Sequence, residues 1–418
     1  MSTIQVHGLQ PLKGEIEIQG SKNAVLPMMA ASILHKGTTV LTHVPRIQDV
    51  FCMMGILEYM GCRCVLCGHE LTIDASDLTG TSIPESYVKT MRSSIMILGA
   101  LLGRCKEAVT HYPGGCSIGK RPIDLHLYAL RQMGVEISED CERIMAKAPR
   151  LGGAEIRLSY PSVGATENAV LAAVLAKGDT IVYGAAKEPE IDEMCRMLNQ
   201  MGADIGGIGS HVLRIHGVRE LRDTVYEVVG DRIVTGTYLA AVAAAGGSAR
   251  FFGMNPEHLS SVIPVFEQMG TKIGVEERAI TIDALTPPNP ASIETGPYPG
   301  FPTDLQSPMM ALFSVAGGRS CIRENVFEGR YETAKELQKL GARIIIEEMT
   351  AYIDGVDHLD GCSVTARDLR GGAALVVAGL AAEGETVIGG CHHIHRGYEN
   401  ICRDLKRLGA RVSELPVA

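Results

Sequence analysis

A glycine-rich stretch between His111 and His126, HYPGGCSIGKRPIDLH, carries the residues best suited to chemistry. Glycines lie on both sides of Cys116, and they allow tight turns and close approach that a core position does not need. Lys120 and Arg121 follow within five residues. Because nearby cations favour the thiolate, they lower a cysteine pKa from about 8.5 towards neutrality. The spacing predicts a loop with a reactive sulfur and a bound anion; the alternative is an inert cysteine in a surface turn.

Length, composition and charge narrow the class of protein. The 418 residues exceed what one core usually supports, so two domains are expected. Aromatic residues make up only 5% and tryptophan is absent, which disfavours base-stacking surfaces for single-stranded nucleic acid. The net charge of -9 argues against a broad basic face but allows a small basic pocket. We therefore expect small-molecule partners rather than nucleic acid.

The sequence gives no indication of export or membrane insertion. Its first residues lack a basic segment followed by an apolar run, and no apolar stretch approaches the roughly eighteen residues that a membrane span needs. The twelve cysteines have no regular spacing, which is typical of reduced thiols. A cytoplasmic location without membrane contact is the expectation.

Two clusters of cysteine and histidine have side chains that could bind a metal ion. One runs from Cys62 to His69 with C-x-C-x-x-C-x-H spacing, and its first two cysteines would share a strand face. The other is CHHIH, from Cys391 to His395. Neither has a second pair of spaced ligands, so we favour small apolar residues in a hairpin and expect no metal.

One pattern recurs six times along the chain. A segment of helical period ends in Met-Gly or Leu-Gly and is followed by two short strands, roughly every 70 residues. Glycine just past a helix adopts the left-handed cap at little cost. We expect six such caps, at Gly61, Gly134, Gly202, Gly270, Gly341 and Gly409.

A second helix precedes each of these segments and is apolar nearly all round, as in AVLAAVLA and YLAAVAAA. Such helices are expected innermost, covered by strands and by the amphipathic helices. With a preceding strand, each repeat becomes a β-α-β-α-β-β unit that cannot close its own core, so neighbours must pack. Three repeats per half, with a break near Gly230, would leave a cleft between facing ends.

The repeat also locates candidate binding loops. The loops that enter the helices have polar, mostly charged side chains at equivalent positions. Those entering the apolar helices contain Lys22, Arg92, Ser162, Asp231, Asp304 and Arg370, and those entering the amphipathic helices contain Arg46, Arg121, Glu188, Glu257, Arg330 and Arg396. Helix N-termini and cations suit phosphate or carboxylate. For a single arginine the alternative is a solvated charge, and Asp304 could act as a helix N-cap.

Short motifs in register along the whole chain resemble the MurA-type enolpyruvyl transferases. They are SKNAVLP, KTMRSSI, PGGCSIGKRPIDLHL, SVGAT, EPEI, DRI-x-TGT, FPTDLQ, FEGRY, DLRGG and RGYE. The resemblance implies a two-domain inside-out α/β barrel of six βαβαββ repeats, three per domain. One domain would comprise residues 22–229, and the other residues 1–21 together with 230–418.

The resemblance also implies a transferase reaction. The enolpyruvyl group of phosphoenolpyruvate would pass to the 3-hydroxyl of UDP-N-acetylglucosamine with release of phosphate. This is the first committed step of peptidoglycan synthesis, so cell wall biogenesis, cell shape, cell division and the cell cycle would depend on it. No cofactor is implied, and the chemistry needs an acid, a base and a cage for several negative charges.

The matching motifs imply roles for particular residues. Cys116 would be the acid and can also be alkylated by fosfomycin, Asp304 would be the base or orient the hydroxyl, and Lys22 completes the catalytic set. Phosphoenolpyruvate would be bound by Lys22, Asn23, Arg121, Arg370 and Arg396. UDP-N-acetylglucosamine would be bound by Asn23, Arg92, Arg121, Pro122, Ile123, Asp124, Leu125, Ser162, Val163, Gly164, Asp304 and Val326. Arg330 matches an arginine of the cleft whose role stays open.

Two positions depart from the motifs of the family. Val234 replaces an acidic residue that often follows Asp-Arg-Ile, and His395 stands where an aspartate often precedes Arg-Gly-Tyr-Glu. Beside Arg396, His395 would make phosphoenolpyruvate affinity respond to pH near 6.5. The loop around Cys116 is expected to close over bound nucleotide sugar.

Three alternatives remain. An enolpyruvyl transferase acting on shikimate 3-phosphate shares the repeat and the cations but does not need the Cys116 loop. A DNA-encircling clamp of six repeats needs a basic inner surface, which an acidic chain disfavours. A non-catalytic sensor of nucleotide sugars has no reason to retain Cys116, Lys22 and Asp304 together.

Overall fold

The computed structural model describes residues 2–113, 118–119, 121–140 and 142–416. They form two compact units. The middle unit comprises the described residues from 20 to 113 and from 121 to 229, and the terminal unit comprises residues 2–19, 118–119 and 230–416. The domain boundaries drawn from the sequence stay a prediction, because a compact unit is defined by packing and a domain by independent folding.

The described part of the chain contains α-helices of six to fourteen residues and several shorter 3-10 helices. The α-helices are α1 (Lys22–Ser32), α2 (Gln48–Tyr59), α3 (Glu85–Thr90), α4 (Met96–Cys105), α5 (Asp124–Gln132), α6 (Val163–Ala173), α7 (Pro189–Gln200), α8 (Arg232–Ala245), α9 (Ile263–Gln268), α10 (Gln306–Phe313), α11 (Thr333–Lys339), α12 (Leu369–Ala381) and α13 (Ile401–Arg407). The 3-10 helices are Arg92–Ile95, Pro256–Leu259, Thr303–Leu305, Arg330–Glu332 and Cys391–Arg396. Among the described helices, none has the length and apolar character to cross a membrane.

The strands of the described chain are short and mostly half-buried. They are β1 (Ser2–His7), β2 (Leu12–Glu17), β3 (Thr38–Thr42), β4 (Arg63–Cys67), β5 (Glu70–Asp74), β6 (Glu107–His111), β7 (Glu136–Glu139), β8 (Arg143–Lys147), β9 (Glu155–Arg157), β10 (Asp179–Tyr183), β11 (Asp204–Gly206), β12 (Val212–His216), β13 (Thr224–Glu227), β14 (Gly247–Phe252), β15 (Lys272–Glu276), β16 (Ala279–Ala284), β17 (Ser292–Glu294), β18 (Arg319–Arg323), β19 (Arg343–Glu347), β20 (Thr350–Asp354), β21 (Leu359–Asp360), β22 (Ser363–Thr365), β23 (Ala382–Glu383), β24 (Glu385–Gly389) and β25 (Arg411–Pro416).

The sheets of the middle unit share one plan. Their strand orders are β13-β3-β5-β4, β6-β8-β7 and β11-β12-β10-β9. In the two four-stranded sheets, one parallel edge strand joins an antiparallel set, with β13 on β3 and β9 on β10. In the three-stranded sheet, a single parallel bridge between Ser82 and Val109 marks the same edge position. The sheet around β3 is therefore completed by β13, from the end of the third repeat, whereas the strands of the other two sheets each come from one repeat.

The terminal unit has the same plan, and the first two strands of the chain belong to its sheets. Its four-stranded sheets have the orders β15-β16-β14-β2, β17-β18-β20-β19 and β22-β24-β1-β25, and β21 pairs with β23. Strand β2 is the parallel edge strand of β14. Strand β1 lies between β24 and β25, so that Ile4 faces Ile388 on one side and Glu414 on the other. The first two strands thus complete two sheets of the second half of the chain.

The apolar helices are innermost in both units, as the sequence predicted. Every residue of α10 and of α12 is buried, and α6 is buried from Ala165 to Ala173. Each unit has its own apolar core around three such helices: α1, α4 and α6 in one, and α8, α10 and α12 in the other. Burial on all sides explains why these segments are apolar all round.

The six predicted glycine caps are confirmed. All six glycines have positive φ, between +83° and +103°. A side chain there would be strained, because the left-handed region is accessible at little cost only to glycine. The caps end α2, α5, α7, α9, α11 and α13 at equivalent points, so the loops before the helices recur in equivalent positions too.

Candidate functional site

In the terminal unit, Asp304 is held by two arginines. Its Oδ1 accepts a hydrogen bond from Arg330 Nη2 at 3.0 Å, and its Oδ2 accepts one from Arg370 Nη2 at 2.9 Å. The carboxylate side chain is 25% exposed, whereas the arginine side chains are 4% and 5% exposed. The short helix here is preceded by Pro302 and has no side-chain cap. The N-cap alternative for Asp304 was wrong, because two cations outcompete backbone N–H groups for this carboxylate.

Both arginines keep further donors. Nε of Arg330 and Nη1 of Arg370 are buried without a hydrogen-bond acceptor among the residues that the structure describes. The neighbouring hydroxyl of Tyr398 is engaged with Thr237 at 2.8 Å. Burial opposes the charge of Arg370, but Asp304 and other neighbours outweigh it and hold the pKa of Arg370 above its ordinary value. Buried unmatched donors are costly, so these N–H groups are suited to an anionic ligand.

Glu324 links Val326 to Thr303, the residue before Asp304. This fully buried carboxylate accepts hydrogen bonds from the hydroxyl of Thr303 at 2.9 Å and from the N–H of Val326 at 2.8 Å. Arg330 Nη1 in turn donates to the carbonyl of Thr303 at 2.8 Å. The sequence analysis missed Glu324. The only signal was an acidic residue directly after a strand and before the predicted Val326.

The described end of the cysteine loop lies against the same segment. Gly329 N–H donates to the carbonyl of Ile118 at 3.0 Å. Gly119 has φ +139°, and a Cβ on it would lie 2.6 Å from Glu328 Oε2. The positive φ favours glycine at this position, because a side chain would strain the backbone there. Cys116 and Lys120 themselves lie outside the described residues, so the role of the thiol stays a prediction.

Arg396 lies in the segment that packs on Arg370. It is the last residue of the short helix Cys391–Arg396. Tyr398 follows two residues later, and its ring centre is 5.9 Å from the guanidinium carbon of Arg370. Gln19 fixes the intervening turn, since its side-chain N–H donates to the carbonyl of Gly397 at 3.0 Å. The structure therefore brings Asp304, Val326, Arg330, Arg370 and Arg396 to one part of the terminal unit.

Val234 and His395, the two departures from the family motifs, both lie in the terminal unit. Val234 is buried in the core of the terminal unit, and its N–H donates to the N-cap carboxylate of Asp231 at 3.1 Å. His395 Nε2 lies 3.2 Å from Glu414 Oε2. An effect of His395 on substrate affinity stays a prediction.

In the middle unit, Lys22 begins α1 and lies 3.1 Å from Asp49, measured from Nζ to Oδ2. The side chains are 12% and 3% exposed. Asn23 is the next residue of the same turn. A buried carboxylate at this distance holds the ammonium group in place. The sequence analysis missed Asp49, although an acidic residue in the first turn of α2 was visible.

The buried ring of His126 packs on Gly164 and is influenced by the charges of Arg92 and Arg121. A Cβ on Gly164 would lie 2.6 Å from Cε1 of His126. Burial, and then the charges of Arg92 and Arg121, lower the pKa of His126 to about 4. Arg121 has φ +45°, a left-handed conformation that is uncommon outside glycine and recurs at functional sites.

The other predicted nucleotide-binding residues lie beside this ring. Ser162 caps α6 by accepting a hydrogen bond from the N–H of Ala165 at 3.4 Å, with Val163 in the first turn. Residues 122 to 125 lead into α5, whose first turn carries His126. The structure thus brings the start of α5 and the start of α6 together at His126, a residue that the prediction did not include.

The cysteine clusters show no arrangement for a metal. None of the ten cysteines that the structure describes forms a disulfide. Burial raises the pKa of Cys62 to about 11 and that of Cys64 to about 12, so both thiols are protonated and poor ligands. Within the described ranges, no group of three or more His, Cys, Asp or Glu side chains is placed to bind an ion.

Fold and site together define a class of protein. Residues 6–405 match the family model described as EPSP synthase (3-phosphoshikimate 1-carboxyvinyltransferase), and the chain belongs to this family. The enolpyruvyl transferase NikO from Streptomyces tendae has a similar solved structure, with a TM-score of 0.89 and 25% identity over 100% of both chains. EPSP synthase from Acinetobacter baumannii has the same fold, with a TM-score of 0.75 and 18% identity over 100% of both chains. The predicted inside-out α/β fold is confirmed.

Within that family, the similar curated proteins share one name. UDP-N-acetylglucosamine 1-carboxyvinyltransferase 2 of Caldanaerobacter subterraneus subsp. tengcongensis is 45% identical over 413 residues, which cover 99% of each chain. UDP-N-acetylglucosamine 1-carboxyvinyltransferase of Dichelobacter nodosus is 43% identical over 420 residues, which cover 100% of each chain. That of Clostridium botulinum is 42% identical over 417 residues, 99% of this chain and 100% of the relative. The resemblance drawn from the motifs is confirmed.

Proposed function

We propose that this chain transfers the enolpyruvyl group of phosphoenolpyruvate to the 3-hydroxyl of UDP-N-acetylglucosamine, with release of phosphate. Relatives with 42–45% identity over nearly the whole chain carry the corresponding name. The structural observation that supports it is a carboxylate, Asp304, between two buried arginines, each of which has one nitrogen without an acceptor among the described residues. This pairs a proton acceptor with an anion site, as the reaction requires.

The proposed reaction adds an alcohol to a double bond and then restores the double bond. The sugar oxygen forms a bond to C2 of phosphoenolpyruvate while Cys116 delivers a proton to C3, and Asp304 takes the hydroxyl proton. In the second step C3 gives a proton back to the thiolate that the first step left on Cys116, the C2–C3 double bond reforms and the C2–O bond to phosphate breaks. The atoms of both substrates are conserved in the enolpyruvyl ether and inorganic phosphate.

The arginines around Asp304 have separate tasks in this proposal. Arg330 keeps hold of one carboxylate oxygen and of the Thr303 carbonyl, so it positions the base. Arg370 uses its unmatched Nη1 for the carboxylate of phosphoenolpyruvate. If that anion also takes the Nη2 donor, Oδ2 of Asp304 is released towards the acceptor hydroxyl.

Further cations complete the anion cage in the proposal. Lys22, Arg121 and Arg396 bind phosphoenolpyruvate, with Asn23 beside Lys22. The nucleotide sugar is bound by Arg92, residues 121 to 125, residues 162 to 164, and Val326. We propose that residues 22–229 form one domain and that residues 1–21 together with 230–418 form the other. Because both substrates are metabolites of the cytoplasm, we place this step of peptidoglycan synthesis there.

Phosphate release with two acceptors tests this proposal. The purified protein should release phosphate from phosphoenolpyruvate when UDP-N-acetylglucosamine is added, and not when shikimate 3-phosphate is added. Cys116→Ala should lose this activity, whereas Cys116→Asp should retain some, because aspartic acid still donates a proton. Fosfomycin should inactivate the wild type and leave Cys116→Asp active, since the carboxylate is a poor target for the epoxide.

Other outcomes would favour the alternatives. Turnover with shikimate 3-phosphate would assign the chain to that acceptor. Tight binding of nucleotide sugar without phosphate release would indicate a sensor.

A further inference from the structure

His126 is a buried polar residue with no role in the proposal so far. It lies in the first turn of α5 and is 8% exposed. Its ring packs on Gly164, in the first turn of α6, with Cε1 and Nε2 at 2.6 Å and 3.1 Å from the position of a Cβ there. Nδ1 lies farther from that position, at 3.8 Å. The Cε1–Nε2 edge of the ring therefore faces the N-terminus of α6.

The protonation of this ring follows from its neighbour Asn168. The backbone N–H of Gly99 can only donate, and it lies 2.7 Å from Asn168 Oδ1, which fixes the orientation of the amide. The other amide atom, Nδ2, then donates to the carbonyl of Ile95 at 3.2 Å and to His126 Nδ1 at 2.8 Å. Because Nδ1 accepts, the proton of the neutral ring is on Nε2.

Nε2–H is a donor without a partner in the described part of the chain. No described residue accepts a hydrogen bond from it, and it faces the positive end of α6, while the charges of Arg92 and Arg121 act on the same ring. Those charges, together with burial, keep the ring neutral at physiological pH. A fixed, uncharged N–H at a helix N-terminus, within the positive field of two arginines, matches an oxyanion.

We propose that Nε2–H of His126 donates a hydrogen bond to a phosphate oxygen of the nucleotide diphosphate, with the ring held for this task by Asn168. The inference rests on the proposed function, since it concerns the same nucleotide site. His126 binds the ligand and takes no part in the transfer chemistry. Asn168 is a positioning residue, because it sets the tautomer of the ring without touching the ligand.

Calorimetric titration of three ligands tests the inference. His126→Ala should weaken the binding of UDP and of UDP-N-acetylglucosamine by about 10- to 100-fold, the usual effect of losing a hydrogen bond to a charged group. Binding of uridine, which lacks phosphate, should not change. His126→Gln should recover part of the loss, because its amide keeps an N–H donor. The control is His216→Ala, an exposed histidine paired with Asp179 at 2.8 Å.

A second measurement does not depend on the fold of a variant. In ¹⁵N spectra of the wild-type protein, Nε2 of His126 should carry a proton at pH 7, and its resonance should shift with UDP but not with uridine. A proton on Nδ1, or an Nε2 resonance unaffected by UDP, would overturn the inference. So would equal UDP affinities of the wild type and a folded His126→Ala.

Failure of this inference can be distinguished from failure of the proposed function. If only the inference is wrong, a His126→Ala protein binds UDP normally and still releases phosphate from phosphoenolpyruvate. If only the proposed function is wrong, the wild-type protein releases no phosphate, although its UDP affinity still depends on His126.

Discussion

Replacing Asp304 by asparagine should lower kcat with UDP-N-acetylglucosamine by roughly 10²- to 10⁴-fold, the contribution expected of a general base. Asparagine has nearly the same shape and keeps one oxygen for an arginine, but it cannot accept the hydroxyl proton. KM for phosphoenolpyruvate should change much less than kcat, because the arginines stay in place. Steady-state phosphate release at several concentrations of each substrate measures both quantities.

A matched control is available in the same unit. Asp354 is also held by an arginine through both oxygens, with Arg319 Nε and Nη2 at 2.7 Å and 2.8 Å, but on the exposed strands β18 and β20. Asp354→Asn should leave kcat unchanged. Equal effects of the two substitutions would show that Asp304 has a structural role only.

Replacing Lys22 by methionine should lower kcat/KM for phosphoenolpyruvate by roughly 10²- to 10³-fold, as expected when one preorganised donor to a developing anion is lost. The affinity for UDP should change little, because no nucleotide contact is assigned to this side chain. Phosphate release at varied phosphoenolpyruvate, together with UDP titration, separates the two effects.

The stability of the Lys22→Met variant needs to be measured separately from its activity. Lys22 lies 3.1 Å from the buried carboxylate of Asp49, and a buried charge that loses its partner can cost about 3–5 kcal/mol. Lys22→Arg keeps the charge, so it should retain the stability and still lose activity, because the broader guanidinium group misplaces the donors. Lys335→Met, which removes an exposed lysine paired with Glu332 at 2.9 Å, is the control. Full activity of a folded Lys22→Met would contradict the assignment.

Features with a local physical cause could be predicted from the sequence. The cap glycines, such as Gly61 and Gly134, were predictable because a left-handed residue after a helix depends on the residue itself. The inner helices α10 and α12 were predictable because a helix buried all round must be apolar all round. The repeat then located the loops, because its elements recur in order.

Features that depend on tertiary pairing could not be predicted in this way. Asp49, Glu324 and His126 act through partners far away in the sequence, such as Thr303 for Glu324 and Asn168 for His126. The N-cap alternative for Asp304 failed for the same reason. Arg330 and Arg370, which compete for that carboxylate, lie 26 and 66 residues further along the chain.

Detection of the product tests the central claim most directly. The wild-type protein is incubated with UDP-N-acetylglucosamine and ¹³C-labelled phosphoenolpyruvate, and the quenched mixture is analysed by mass spectrometry and NMR. We predict one labelled enolpyruvyl ether on the 3-oxygen of the sugar for each phosphate released. Phosphate release without a labelled nucleotide sugar, or no reaction under conditions in which both substrates bind, would contradict the account.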